Sequence, residues 1–324
     1  MAAAAEGRAA LTGQRIHAVR SIAGSATLVD APAPSGDWPV LTVAAAGICG
    51  SDRGLLRFGL PVTIGHEIAG TIGDRTYCVE PTVACGQCDQ CAVGASQRCR
   101  GPAPHGLLGV DFDGGMADRV AVPADCLLEL PAGLPVADAT LVEPMAVCWH
   151  AFRRVAAVAG ERVLVVGGGS IGLLAVAAAR ALGLDVDLAA RHPHQVAAGE
   201  RLGAGRPDGE YDITVESAGT ESSLRQCIDA AVPGGRVAMV GVNAGSWTVP
   251  GLPLMLKEIA LVGSYCYARG RDRREFAEAA AALAANPDVA ATVITHRFPL
   301  TDAAEAFRVA ADRSAGAIKV VLEP

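Results

Sequence analysis

At 324 residues, against a usual domain of about 100–200 residues, the chain has room for two domains and a well-buried core. Hydrophobic residues make up 51%, charged residues 19% and aromatics only 4%, which excludes intrinsic disorder and leaves a core of Ala, Val and Leu. A net charge of −7, from 27 basic and 34 acidic residues with no Lys/Arg cluster that stands out as a phosphate-tracking surface, argues against nucleic acid and anionic membranes as partners. Residues 1–8 include Glu6 and lack the apolar stretch of a secretory leader. No uncharged apolar run reaches the ~18–20 residues of a membrane span. A cytoplasmic protein with reduced thiols is therefore expected, and clustered cysteines there favour metal. Only Lys257 and Lys319 are lysines, the usage a GC-rich genome produces.

In chain order, the first ~150 residues are punctuated by Gly and Pro between short apolar runs at 40–43, 67–72 and 119–122, the texture of a β-rich, partly open barrel. From Glu143 the texture changes. Residues 145–159 lack Gly and Pro and predict a helix, and strand and helix signals then alternate. Strands are expected at 162–166, 185–190, 212–216, 236–241 and 259–263, with helices from the Gly-rich turn to about 182, then at 193–202, 221–232 and 274–285. Such alternation predicts a doubly wound α/β domain with a parallel sheet. A final strand, helix and strand at 292–298, 302–311 and 317–322 either extend that sheet or return to the first domain.

Three motifs carry chemistry. Cys85-x2-Cys88-x2-Cys91-x7-Cys99 places four thiols in 15 residues, enough to wrap one tetrahedral Zn²⁺ with no open position. A ferredoxin cluster has x3 before a Cys-Pro, whereas here the gap is x7 and Arg100 follows, so a structural zinc is expected. The second motif, Val166-Gly167-Gly168-Gly169-Ser170-Ile171-Gly172, ends a predicted strand and opens a helix. Gly167 serves the tight turn, Gly169 the approach to a pyrophosphate and Gly172 the packing of helix on strand, with Ser170 and Ile171 at the helix start. Where NAD-binding chains place a carboxylate about 20 residues on, this chain reads Leu188-Ala189-Ala190-Arg191-His192. With Arg191 and His192 available for a 2′-phosphate, NADP(H) is expected in preference to NAD(H).

The third motif is Gly47-Ile-Cys49-Gly-Ser51-Asp52 with Gly65-His66-Glu67. Together with the four-cysteine loop, Glu143-Pro144 and the Gly-rich turn, in this order, it resembles the zinc-dependent medium-chain alcohol dehydrogenases. The run from Glu143 to Arg154 is similar to the polyol branch, the sorbitol and threonine dehydrogenases. The resemblance implies a GroES-like catalytic domain at 1–152 and 290–324, interrupted by a Rossmann domain at 153–289, with the active site in the cleft between them. It implies a catalytic zinc on Cys49, His66 and Glu67, with Glu143 as an alternative ligand or a partner of the zinc water. Asp52 would orient the imidazole, and Ser51 would relay the proton of an alcohol or ketone substrate. Ser217, Val242 and Ser264 fall at the family's nicotinamide positions, and Phe58, Phe112, Trp149 and Tyr265 at substrate-pocket positions. Cys148 and His150 are expected to pack rather than ligate. A homodimer or homotetramer joined through 259–263 is also implied.

Three departures from the family stand out. Gly54 replaces the His that often ends the proton relay. About ten residues of the usual connection between Ile72 and Gly73 are missing. Residues 203–211 leave little room for a third Rossmann strand, so the adenine-side edge is expected to be trimmed. Conjugate reduction of a C=C bond by NADPH is the alternative chemistry on the same fold, and a cofactor-binding sensor without turnover is a third reading.

Overall fold

The computed structural model describes residues 13–270 and 274–324; residues 1–8, read above against a secretory leader, lie outside them. In chain order the strands begin with β1 (Arg15–Ile22), β2 (Ser25–Pro32), β3 (Val40–Gly47), β4 (Glu67–Ile72) and β5 (Arg75–Val79). Short strands β6 (Thr82–Val83), β7 (Gly106–Leu107), β8 (Arg119–Ala121) and β9 (Leu127–Glu129) lead to helix α1 (Val142–Arg154). An alternating run follows: β10 (Arg162–Val166), α2 (Ser170–Ala181), β11 (Asp185–Ala189), α3 (Pro193–Arg201), β12 (Tyr211–Glu216), α4 (Glu221–Ala230), β13 (Ala231–Met239) and β14 (Ala260–Gly263). Helix α5 (Glu275–Ala285) precedes the closing β15 (Ile294–Pro299), α6 (Ala303–Ala311) and β16 (Lys319–Glu323).

Two compact units result. The first holds the described residues through Glu143, the segment beginning at Arg269 and the tail Ile294–Pro324. Its seven-stranded sheet has the order β15-β16-β3-β4-β5-β9, with β8 also on β3. The tail thus joins this sheet: β16 runs antiparallel to β3, with Val321 opposite Gly47. Leu41, Val43, Ile64, Ile68, Val79 and Leu322 form part of its aliphatic core. The shortened connection after β4 is a tight hairpin, Ile72 pairing with Arg75 across Gly73 (φ +61) and Asp74, a conformation that glycine adopts at no steric cost.

The second unit spans Pro144–Ala268 and the described residues from Arg274 to Val293. Its five strands are parallel, in the order β11-β10-β12-β13-β14. The chain leaves β10 for β11 on one side and returns to β12 on the other, which places the topological switch point at the carboxyl end of β10. Beyond β11 the third strand is reduced to a single bridge, Gly205 opposite Asp187, with Leu188 N–H donating to Gly205 O at 3.1 Å and Gly205 N–H to Val186 O at 2.9 Å. Tyr211 closes this trimmed edge: its hydroxyl donates to Asp187 at 2.7 Å and accepts from Asp208 N–H at 2.7 Å. The Arg162 guanidinium lies 4.8 Å from the Tyr211 ring centroid. Burial, with Asp187 beside it, pushes the Tyr211 phenol up to about 12.

Helix α1 ends at Arg154, five residues before the predicted end at 159, because Ala156 takes a left-handed φ of +50°. Helix α4 ends at Ala230, and its expected last residues open β13. Among the described residues, no helix is long and apolar enough to cross a membrane.

Candidate functional site

Cys85, Cys88, Cys91 and Cys99 bring their four sulfurs within 4.8 Å of one another. The Cys88–Cys91, Cys85–Cys91 and Cys88–Cys99 separations are 3.6, 3.9 and 4.0 Å. Four sulfurs at about 2.3 Å from one zinc would stand roughly 3.8 Å apart at the corners of a tetrahedron, so the cluster fits the ion. Backbone N–H groups of Gln87 and Cys88 pull the Cys85 thiol below its ordinary range. Those of Arg100 and Cys91 bring Cys88 down to about 6, whereas burial pushes Cys91 up to about 12. Gly101 is confined to glycine by this packing, since a Cβ there would lie 2.2 Å from the Cys85 sulfur.

The second cluster gathers around the end of β3 and the start of β4. Asp52, fully buried, accepts from Cys49 N–H at 2.8 Å through Oδ2 and faces His66 Nδ1 at 3.3 Å through Oδ1. With Nδ1 facing this carboxylate, the ring turns Nε2 toward Ser51 Oγ, 3.5 Å away. Burial opposes a charged His66, but Asp52 and Cys49 outweigh it and hold the imidazole well above its ordinary range. Cys49, Ser51, Asp52 and His66 are thus brought together. A thiol, an imidazole backed by a carboxylate, and nearby carboxylates form a donor set that suits zinc.

Glu67 sits differently from its expected role. Lys319 donates to both its carboxylate oxygens, at 2.6 and 2.7 Å, and to Ile48 O at 3.1 Å. Both side chains are sealed, Glu67 at 0% and Lys319 at 1% exposure. The carboxylate fits because its cross-strand partner is Gly47, where a Cβ would stand 2.0 Å from Glu67 Oε2. Burial works against the Lys319 charge, yet Glu67, Cys49 and Glu143 raise its pKa above the usual value. Glu143, buried at the start of α1, therefore belongs to the same electrostatic cluster. Among the described residues only the four sulfurs form a ready-made group of three or more ligand atoms.

In the second unit, Gly167 (φ +120) and Gly169 shape the turn after β10. Helix α2 starts at Ser170 without a side-chain cap, leaving the N–H groups of its first turn, Ile171 among them, for a ligand. A Cβ on Gly169 would meet nothing within 4 Å, whereas one on Gly172 would lie 1.8 Å from Gly167 O. The first glycine leaves open space before the helix start, and the second permits the helix to close on the strand. Ala190 touches the turn, its Cβ 2.7 Å from where a Cβ on Gly168 would be. Residues 188–192, at the end of β11 and just beyond it, thus carry no carboxylate. Arg191 is exposed and donates to Ser222 Oγ at 3.4 Å, and the rings of His192 and His194 stack 5.5 Å apart. Ser217 Oγ lies 3.0 Å from Val166 O, Val242 is exposed, and Ser264 N–H donates to Met239 O at 3.1 Å.

Residues 36–132 match the alcohol dehydrogenase GroES-like domain model, and residues 137–323 match the glucose dehydrogenase C-terminus model. The chain belongs to the zinc-type medium-chain alcohol dehydrogenase family. It is 30% identical over 311 residues to the L-galactonate-5-dehydrogenase of Escherichia coli, covering 85% of this chain and 88% of that one. It is 29% identical over 326 residues to the sorbitol dehydrogenase of Arabidopsis thaliana, covering 86% of each. A zinc-binding dehydrogenase structure from Sinorhizobium meliloti 1021, bound to NADP, superposes with a TM-score of 0.82 at 28% identity, covering 96% of this chain and all of that one.

As a member of this family the chain is an oxidoreductase. The residues expected to pack do so: Cys148 donates to Ile171 O at 3.3 Å, and His150 Nδ1 lies 2.8 Å from Glu275. Of the pocket candidates, Trp149 is buried and Phe112 packs edge-on against Trp38 at 5.3 Å, while Phe58 and Tyr265 are exposed. Gly54 has nothing within 4 Å of a built Cβ. Sequence reasoning missed Lys319, Ser222 and His194. Lys319 did carry a signal, being a lone lysine inside an apolar run predicted as a strand.

Proposed function

We propose that the chain is a zinc-dependent dehydrogenase that moves a hydride between NADP(H) and a secondary alcohol or ketone of polyol or sugar-acid type. When bound, a zinc ion at Cys49, His66 and one of Glu67 and Glu143 supplies a Lewis acid for the substrate oxygen, and NADP(H) supplies or accepts the hydride. A second zinc on Cys85, Cys88, Cys91 and Cys99 is structural. Asp52 holds the His66 ring with Nε2 presented. Ser51, whose Oγ lies 3.5 Å from that ring, relays the proton: Oγ accepts it from an alcohol while releasing its own to solvent, and the reverse serves a ketone. Gly167, Gly169, Ser170, Ile171 and Gly172 hold the pyrophosphate, Arg191 and His192 the 2′-phosphate, and Ser217, Val242 and Ser264 flank the nicotinamide side. The first and second units are read as a catalytic domain and a dinucleotide domain. β14 is the terminal strand of its sheet among the described residues and is the surface through which copies pair.

The observation that carries the reading is the Cys49–Ser51–Asp52–His66 constellation, in which one buried carboxylate fixes both a thiol-bearing turn and an imidazole. Preference for NADP(H) is supported by Ala190 in place of a carboxylate and by Arg191 beside Ser222. The substrate class is supported by the galactonate and sorbitol dehydrogenase relatives. The test is a panel of polyols, sugar acids and simple secondary alcohols with zinc-replete protein, followed by nicotinamide absorbance with NADP⁺ and with NAD⁺. Reduction of NADP⁺ by a polyol or sugar acid is expected. Failure of every secondary alcohol with both cofactors, alongside reduction of an enone by NADPH, would overturn it.

A further inference from the structure

Glu216 ends β12 fully buried, and none of the chemistry above uses it. Its Oε1 accepts from Ala218 N–H at 2.9 Å, Gly219 N–H at 2.8 Å and the Ser223 hydroxyl at 2.5 Å. Its backbone carbonyl accepts from Val240 N–H and Gly241 N–H, both at 2.9 Å. One residue therefore ties together two loops, residues 217–220 after β12 and residues 240–242 after β13. The loops are pressed close: a Cβ on Gly219 (φ +69) would stand 2.5 Å from Val242 O, and one on Gly241 would stand 2.4 Å from Gly219 N and from Glu216 Oε2. The first loop also abuts the Gly-rich turn, through Ser217 Oγ at 3.2 Å from Gly167 O.

Capping of α4 does not require this carboxylate. Thr220 Oγ1 accepts from Ser223 N–H at 3.2 Å, and Ser223 Oγ accepts from Thr220 N–H at 3.2 Å, a reciprocal box that serves the helix by itself. What the Glu216 carboxylate adds is the pinning of residues 218 and 219 to the end of β12, whose backbone carbonyl holds the loop after β13. Both loops leave carboxyl ends of strands on the side of β10 away from β11. With the adenosine ribose at the end of β11, a dinucleotide laid across the switch point rests its nicotinamide half on these two loops.

We propose that Glu216 is a positioning residue for the nicotinamide half of the cofactor, setting the two loops on which that half rests without touching it. This rests on the dinucleotide reading of the second unit. The test compares wild type with Glu216→Gln, which keeps the shape but turns a charge-assisted acceptor into a weaker neutral one. Binding of NADPH is read from its fluorescence, and binding of 2′-phospho-ADP-ribose, which lacks the nicotinamide, by competition or calorimetry. NADPH should bind about tenfold more weakly to the variant, with 2′-phospho-ADP-ribose changed less than about twofold. Equal weakening of both ligands, or of neither, overturns the proposal. Should the variant not fold, hydrogen exchange in cofactor-free wild type decides: protected Ala218 and Gly219 amides support the pinning, and exchange at unstructured rates overturns it. Wild-type protein that binds neither NADPH, NADH nor their nicotinamide-free analogues would instead overturn the dinucleotide reading itself.

Discussion

Replacing Lys319 by Met removes the ammonium that donates to both oxygens of Glu67, at 2.6 and 2.7 Å, in a site with 0% exposure for Glu67 and 1% for Lys319. Breaking a sealed pair from one side leaves an uncompensated buried charge, a loss of about 3–5 kcal/mol. The Ile48 carbonyl also loses a donor at 3.1 Å. Removing the charge on the other side as well, in Lys319→Met/Glu67→Gln, should return about 2 kcal/mol of that loss, because residues in contact do not contribute additively. Urea unfolding in zinc-replete buffer, followed at a signal from the first unit, measures Lys319→Met, Glu67→Gln and the double variant against wild type. The pH dependence has a definite sign. Burial opposes the Lys319 charge, but Glu67, Cys49 and Glu143 hold its pKa above the ordinary 10.5. A raised folded value stabilises fully below the unfolded one and is lost as pH rises through the folded one, so the deficit of Lys319→Met should be flat from about pH 6 to 9 and shrink only above about pH 10.5. A single-variant loss under about 1 kcal/mol, or simple additivity in the double variant, would refute the buried pair.

Ala190→Asp places a carboxylate against the Gly-rich turn, beside Arg191. It should lower kcat/KM for NADP⁺ by about tenfold to a hundredfold and improve NAD⁺, shown by steady-state kinetics with both cofactors. Cys88→Ser breaks the four-sulfur group. Metal analysis should then find about one zinc per chain fewer than in wild type, with a lower unfolding midpoint; unchanged zinc content would contradict the structural site. Tyr211→Phe deletes the hydroxyl that joins Asp187 to the Asp208 N–H. The expected cost is about 1–2 kcal/mol by urea unfolding, and a neutral result would mean that the trimmed edge needs no such closure.

Features with local signatures were legible from sequence. The apolar run 162–166 followed by glycines became β10 and its turn, and the cysteine spacing became a group of four sulfurs within 4.8 Å of one another. The two shortenings were legible as missing length: one is the Gly73-Asp74 hairpin and the other the single Gly205 bridge. What escaped is long-range or set by backbone conformation. Lys319 meets Glu67 across 252 positions, and Arg191 meets Ser222 across 31, so no window of sequence pairs them. Likewise the end of α1 is set by the left-handed turn at Ala156, which an alanine does not announce. Reading Glu67 as a ligand came from the family's motif, and its cross-strand setting opposite Gly47 and Lys319 appears only once β3, β4 and β16 are side by side.

The central claim is that Cys49 and His66 hold the catalytic metal while the second unit binds the cofactor independently. The measurement that tests it most directly is a paired assay of Cys49→Ala, comparing turnover of the best alcohol found for wild type with NADPH affinity from fluorescence. Turnover should fall to background, with NADPH binding within about twofold of wild type. A Cys49→Ala protein that retains full turnover would contradict the account.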